Sequence, residues 1–188
     1  IIWANAFEER KEIIFLSSNE DNWIIRDIME IRTATIADLA QIAAVEAECF
    51  PAAEAATKEE FEERIKYYGN HFWLMFEGEK LIAFVDGFVT DKPDLTDEMY
   101  ERAEMHDENG AWQMIFGVNT IPAYRKHGYA GQLLQCAIED ARKQERKGLV
   151  LTCKEKLIAY YAKFGFVNEG ISESVHGNVI WYQMRYKF

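Results

Sequence analysis

The sequence predicts one mixed α/β (α+β) domain. Amphipathic stretches opened by capping residues, apolar runs of strand length bounded by turn signals, and the alternation of the two along the chain lead to that class. From Met29 the elements follow in order. Residues 30–33 read as a short strand, and Thr35-Ile-Ala-Asp38 is a capping box that opens an Ala-rich helix to about residue 48. After a loop through Phe50-Pro51, Thr57-Lys-Glu-Glu60 is a second box, starting a helix with Phe61, Ile65 and Tyr68 on one face. Strands over 72–77 and 80–89 flank Glu77-Gly78 and read as a hairpin. A short helix is expected near Leu95-Thr-Asp-Glu98, then a strand over 112–120 and a long helix over 128–147. Gly148 stops that helix, with Arg146 and Lys147 in a last turn whose dipole favours cations. Residues 149–153 form a compact apolar strand and 155–164 a helix ended by Gly165, and strands near 166–169 and 179–186 close the chain.

The 188 residues suffice to bury a core without staples, and 49% apolar against 28% charged residues is the balance of a soluble globular protein. Residues 1–28 begin without a methionine, carry no clean period and precede Met29-Glu-Ile-Arg. They are expected to be an extension on which function does not depend, with Ile13-Ile-Phe-Leu16 as a stray strand and 29–188 as the domain. The three cysteines Cys49, Cys136 and Cys153 lack metal-ligand spacing and are odd in number, so no metal and no disulfide framework is expected, and a reducing cytoplasm fits. A formal charge of −11 argues against a nucleic-acid partner and mildly favours a cationic ligand. No apolar run has the length that crosses a bilayer, so no membrane partner is expected.

The most informative stretch is Pro122-Ala-Tyr-Arg125-Lys126-His127-Gly128-Tyr129-Ala130-Gly131, between a strand and a helix. Small residues at 128, 130 and 131 let successive backbone N–H groups and the positive end of the helix dipole face an anion such as a pyrophosphate, with Arg125 and Lys126 at the rim. A plain Gly-rich turn is the competing reading. The string lacks the Lys-Ser/Thr of nucleotide-hydrolase loops and the G-x-G-x-x-G of dinucleotide folds.

With this loop the chain resembles the GNAT acetyltransferases, whose acetyl-CoA loop reads R/Q-x-x-G-x-G/A between a strand and a long helix. The likeness continues through Leu149-Val-Leu-Thr-Cys153 and the Tyr161-Ala-Lys-Phe-Gly-Phe166 helix ending. Within that family it is most similar to the serotonin (arylalkylamine) N-acetyltransferase branch, through Cys49-Phe-Pro51 with Glu54-Ala-Ala-Thr57, then Leu95-Thr-Asp-Glu98, His106 and Trp181-Tyr-Gln-Met184. The resemblance implies a mixed central sheet of about six to seven strands flanked by helices on both faces, with acetyl-CoA as co-substrate. It also implies that backbone groups of Val118, Asn119 and Thr120 pair with the pantetheine arm, and that Arg125, Lys126, His127, Gly128, Tyr129, Ala130 and Gly131 hold the pyrophosphate. Tyr161 falls on the tyrosine that protonates the leaving thiolate, its competing reading being a core aromatic beside Tyr160 and Phe164.

The chain departs from the serotonin branch at the base. Matching places Met114 and Phe116 where that branch has two relay histidines, and neither side chain takes a proton. Presenting an amine of pKa near 10.4 as free base at pH 7 costs about 4–5 kcal/mol, so another group must serve. Glu54 is the named candidate, with His106 or a chain of waters as alternatives and an ordinary solvated acid as the competing reading of Glu54. His106, His127 and His176 read as capping, surface or turn histidines, and Asp86 among apolar neighbours as an ammonium partner or a bulge beside Gly87. Phe50, Pro51, Met114 and Phe116, with Trp112, suggest an apolar amine pocket. The expected activity is N-acetylation of a small arylalkylamine- or polyamine-like primary amine by direct attack in a ternary complex, in a monomer or homodimer. Protein or peptide N-acetylation and non-catalytic acyl-CoA binding are the alternatives.

Overall fold

The computed structural model describes residues 5–7, 10–19 and 22–188, with side chains from Met29 onward. Three strands, β1 (Asn5–Phe7), β2 (Arg10–Asn19) and β3 (Asn22–Thr33), open the chain, so the stray strand expected at 13–16 falls inside β2 and the one at 30–33 is the end of β3. Thr35 N–H donates to the Asp38 carboxylate at 2.8 Å while Arg32 grips the same carboxylate at 2.6 and 2.8 Å, which fixes the entry to α1 (Leu39–Cys49). The second box closes as expected: Glu60 N–H to Thr57 Oγ1 at 3.2 Å and Thr57 N–H to Glu60 Oε2 at 2.6 Å start α2 (Lys58–Tyr68). β4 (Phe72–Glu77) and β5 (Lys80–Asp86) pair as the expected hairpin. Every residue from Leu81 to Asp86 is buried, which requires cover on both faces of the sheet, and α1 and α4 (Tyr129–Lys143) both pack on this strand.

Two strands are shorter than the sequence suggested, because the expected single sheet is divided in two. The strand expected over 80–89 breaks at Gly87 into β5 and β6 (Val89–Thr90), and the one over 112–120 breaks at Phe116 into β7 (Trp112–Ile115) and β8 (Gly117–Thr120). Gly87 permits the break: a Cβ there would lie 1.8 Å from the Met114 carbonyl oxygen. The first sheet runs β1-β2-β3-β4-β5-β8; the second runs β10-β11-β9-β7-β6, with β9 (Gly148–Cys153) parallel to β7 and β10 (Val167–Ile171) and β11 (Tyr182–Lys187) antiparallel beyond it. Since β9 pairs with β7 and not with β8, the sheets part between β8 and β9. That parting is where the functional cavities lie.

The remaining helices are α3 (Glu98–Glu101) and α5 (Ile158–Ala162), the latter preceded by a 3₁₀ turn and followed by Gly165 at φ 96°. Helix α4 ends at Lys143 rather than 147, with Arg142 and Lys143 in the last turn, and Glu145 instead of Gly148 takes the left-handed position (φ 56°). Arg146 is the reason. Its guanidinium turns inward to the Glu108 carboxylate at 2.8 Å and to the carbonyls of Glu108 and Gly110 at 3.0 and 2.7 Å, bonds it would not reach from a continued helix.

Candidate active site

A cleft of about 810 Å³ opens along the parting of the sheets, between β8, the loop after it, the N-terminus of α4 and α5. Its floor is a free strand edge. Ile121 N–H donates to Ile82 O at 3.0 Å, in register with the β5–β8 ladder, so alternation sends the amides of Gly117 and Asn119 toward β5 and those of Val118 and Thr120 into the cleft. The Thr120 carbonyl is met there by Arg125 Nε at 3.0 Å. Of the three strand residues expected to meet a pantetheine arm, Val118 and Thr120 turn main-chain groups into the cleft. Asn119 does not, and its side chain serves elsewhere.

The loop that follows is shaped by two left-handed residues, Lys126 at φ 68° and Gly128 at φ 85°. A Cβ on Gly128 would meet nothing within 4 Å, so the space beside it is open, and the first amides of α4 face that space together with the positive end of the helix dipole. Arg125, Lys126, Gly128, Tyr129 and Ala130 line the cleft; His127 turns its Nδ1 to the carbonyls of Tyr124 and Arg125. Gly131 is small for another reason: a Cβ there would press on Phe164 at 2.8 Å. Open loop, dipole, rim cations and free strand edge together fit an elongated diphosphate ligand such as coenzyme A. Tyr161, 6% exposed, lines the other wall with Tyr160 and Leu157, and burial raises its phenol above the ordinary value.

Phe50, Glu54 and Trp181 close one end of the cleft and also line a second chamber of about 330 Å³. Six carboxylates surround this chamber, from Glu46, Glu54, Glu60, Asp86, Asp97 and Glu101, against the single guanidinium of Arg64. Residues 172–181 supply its outer wall: His176 stacks on Tyr100 at 5.6 Å and reaches the Glu54 carbonyl at 3.2 Å, and Trp181 Nε1 donates to the His176 carbonyl at 2.8 Å. Gly177 (φ 63°) fits beside Glu54 because it has no Cβ, which would lie 2.7 Å from Glu54 Cγ.

The structure sorts the residues expected at an acceptor site. Phe50 and Phe116 line the chamber, and Pro51 the cleft. Met114 is fully buried in the core and borders neither cavity, its N–H donating to the Phe88 carbonyl at 2.8 Å; Trp112 lies under the Arg185 guanidinium. Glu54 reaches the chamber, but both its oxygens are held by Lys154 Nζ at 2.8 Å. His106 is elsewhere: its Nδ1 accepts from Val89 N–H at 3.2 Å and its Nε2 faces Glu108, which also meets His71 and Arg146. Glu46 and Arg64 are the residues the sequence did not single out. Nothing local marks them, because their partners lie far off in sequence: Asp86 and the Tyr100 carbonyl for Arg64, Asn119 for Glu46.

The residues 39–166 match the model of the Acetyltransferase (GNAT) family. The chain belongs to the GNAT acetyltransferase family. Known structures of the same fold include the loading GNATL domain of CurA from Lyngbya majuscula, 15% identical, TM-score 0.74, covering 85% of this chain and 97% of that one. The GphF GNAT-like decarboxylase in complex with isobutyryl-CoA is 21% identical, TM-score 0.72, over 84% of this chain and 98% of that one. The ribosomal-protein-S18-alanine N-acetyltransferase from Escherichia coli is 17% identical, TM-score 0.63, over 85% and 93%. No curated protein matches the sequence. Membership supports acyl transfer from a CoA-based co-substrate. Among the described residues no helix is long and apolar enough to cross a membrane.

Proposed function

We propose that this GNAT protein transfers the acetyl group of acetyl-CoA to the primary amine of a small cationic molecule, by direct attack in a ternary complex. The acidic chamber carries this reading. It adjoins the cleft where Phe50, Glu54 and Trp181 meet, and its lining carries six carboxylates, of which Lys154 holds Glu54 and Arg64 holds Asp86, an acidic surplus that makes it a receptor for an ammonium group. The acetyl-CoA pyrophosphate lies at Lys126 to Gly131, and the pantetheine arm pairs with Val118 and Thr120. Tyr161 gives its proton to the departing sulfur.

The same charge pattern disfavours the activity named for GphF. A decarboxylase takes an acyl group that carries a carboxylate, which this chamber would repel. Protein acetylation needs a groove that a chain can cross, whereas residues 172–181 wall the chamber off at about 330 Å³, the size of a small ligand. Following free thiol while acetyl-CoA is mixed with monoamines, diamines, arylalkylamines and peptides tests the assignment. Turnover confined to small cationic amines is expected; acetylation of peptides alone, or thiol release independent of any amine, contradicts it.

A further inference from the structure

Three ionisable side chains meet at the floor of the chamber, each more than nine-tenths buried: Glu46 from α1 (6% exposed), Arg64 from α2 (5%) and Asp86 from the end of β5 (1%). Their bonding is unequal. Asp86 Oδ2 accepts from Arg64 Nη1 at 3.3 Å, and Arg64 Nη2 is committed to the Tyr100 carbonyl at 2.9 Å. Glu46 has neutral donors alone, Ala56 N–H on Oε1 and Asn119 Nδ2 on Oε2, each at 3.1 Å. Gly117 makes the cluster possible, since a Cβ there would lie 2.6 Å from Asp86 Oδ1 and 3.0 Å from Asn119 Nδ2.

Charge decides what this arrangement does. Two buried carboxylates and one guanidinium leave a surplus negative charge, which a low-dielectric site does not tolerate. A proton resolves the surplus when the chamber is empty, and an ammonium resolves it when the chamber is loaded. Passing the proton from the ammonium to a carboxylate then leaves the total charge unchanged. Asp86 is the worse recipient because Arg64 bonds it directly as an anion; Glu46 feels the same guanidinium only through space, without a bond to it.

We infer that Glu46 is the general base that deprotonates the acceptor amine, and that Asp86 and Arg64 are positioning residues that set its basicity. This rests on the amine-acetylation reading. The ammonium gives one proton to Glu46, which passes it to solvent. The freed nitrogen lone pair then forms the C–N bond as the C–S bond breaks, Tyr161 delivers its proton to the departing sulfur, and the second nitrogen proton returns Tyr161 to the phenol by way of solvent. One amide, one thiol and one released proton result.

Burial and the neighbouring Asp86 push the Glu46 carboxyl up to about 7, and burial raises Asp86 to about 6 against the pull of Arg64. The other groups facing the cluster are Cys49 from α1, Glu60 and Tyr68 from α2, Tyr100 from α3, and Glu54, Asp97 and Glu101 around the chamber. Removing Asp86 removes a like charge, so Glu46 ionises at lower pH. Removing Arg64 does the opposite.

The test follows the Glu46 carboxyl by ¹³C NMR of Glu-labelled protein, its signal assigned by loss in Glu46→Gln, and in parallel the pH profile of kcat/KM on a primary amine. The wild-type signal is expected to titrate near neutrality, and Asp86→Asn to lower both that midpoint and the acid limb of the profile by about one pH unit. Arg64→Gln should raise both. Glu46→Gln should lower kcat/KM about 100-fold. Unchanged midpoints in Asp86→Asn, or a Glu46→Gln enzyme with the wild-type limb and rate, overturn the assignment. Should Arg64→Gln fail to fold, the Asp86 and Glu46 variants decide alone. Coupled midpoints without turnover of any amine would sink the acetylation reading and leave the coupling of Glu46 to Asp86 standing.

Discussion

The cofactor cleft and the acceptor chamber share Phe50, Glu54 and Trp181 yet are built by opposite means. The cleft works through the main chain: a strand edge left open where the sheets part, a loop with Lys126 and Gly128 in the left-handed region, and the first turn of α4. Its requirements are few and local, namely a missing Cβ at 128 and a helix N-terminus, so a short contiguous stretch of sequence encodes it. The chamber works through side chains brought from α1, α2, β5, α3 and residues 172–181, far apart in sequence. A cleft of backbone suits a ligand common to a whole family. A chamber of side chains lets each member choose its own acceptor.

Breaking the two regions separately should give separable effects. The largest belongs to the loop. Gly128→Val forces a branched residue into a left-handed conformation and fills the open space beside it, so CoA binding by calorimetry should fall at least about 100-fold. Next comes the chamber floor, through stability rather than rate. Glu46, its carboxyl raised from 4.5 to about 7, holds a proton more tightly folded than unfolded, so its contribution is complete below about 4.5 and lost as pH rises through about 7. That loss is on the order of 3 kcal/mol, and urea unfolding at pH 5 and pH 8 should show it shrinking in Glu46→Gln. Tyr161→Phe should lower kcat about 100-fold while acetyl-CoA affinity stays within about twofold, which stopped-flow thiol release beside calorimetry would resolve. Deleting residues 1–28 should move neither KM by more than about twofold, as no side chain lining either cavity precedes Glu46 among the described residues.

The same contrast explains what the sequence could announce. Both capping boxes, the hairpin over β4 and β5, and the loop from Arg125 to Gly131 depend on residues within a few positions of one another, and all of them form. The division into two sheets was hidden because β7 and β8 read as one run of strand residues, and the breaks at Gly87 and Phe116 become visible through pairing with β9 and β5. Arg146 was misplaced into a helix because its pull comes from Glu108, 38 residues away. The acceptor site suffered most. Asp86 stood out among apolar neighbours, but Glu46 and Arg64 looked like any acid and base on a helix, and their burial follows from tertiary packing alone.

The division of labour between cleft and chamber is tested most directly by steady-state kinetics of Gly128→Val and Glu101→Gln, measured side by side for both substrates. The first variant is expected to raise the KM for acetyl-CoA and leave that for the amine nearly unchanged. The second, which removes one exposed carboxylate from the chamber wall, is expected to raise the amine KM about 3-fold, more at low salt than at high, with the acetyl-CoA KM unmoved. Both variants acting on the same KM would contradict the account.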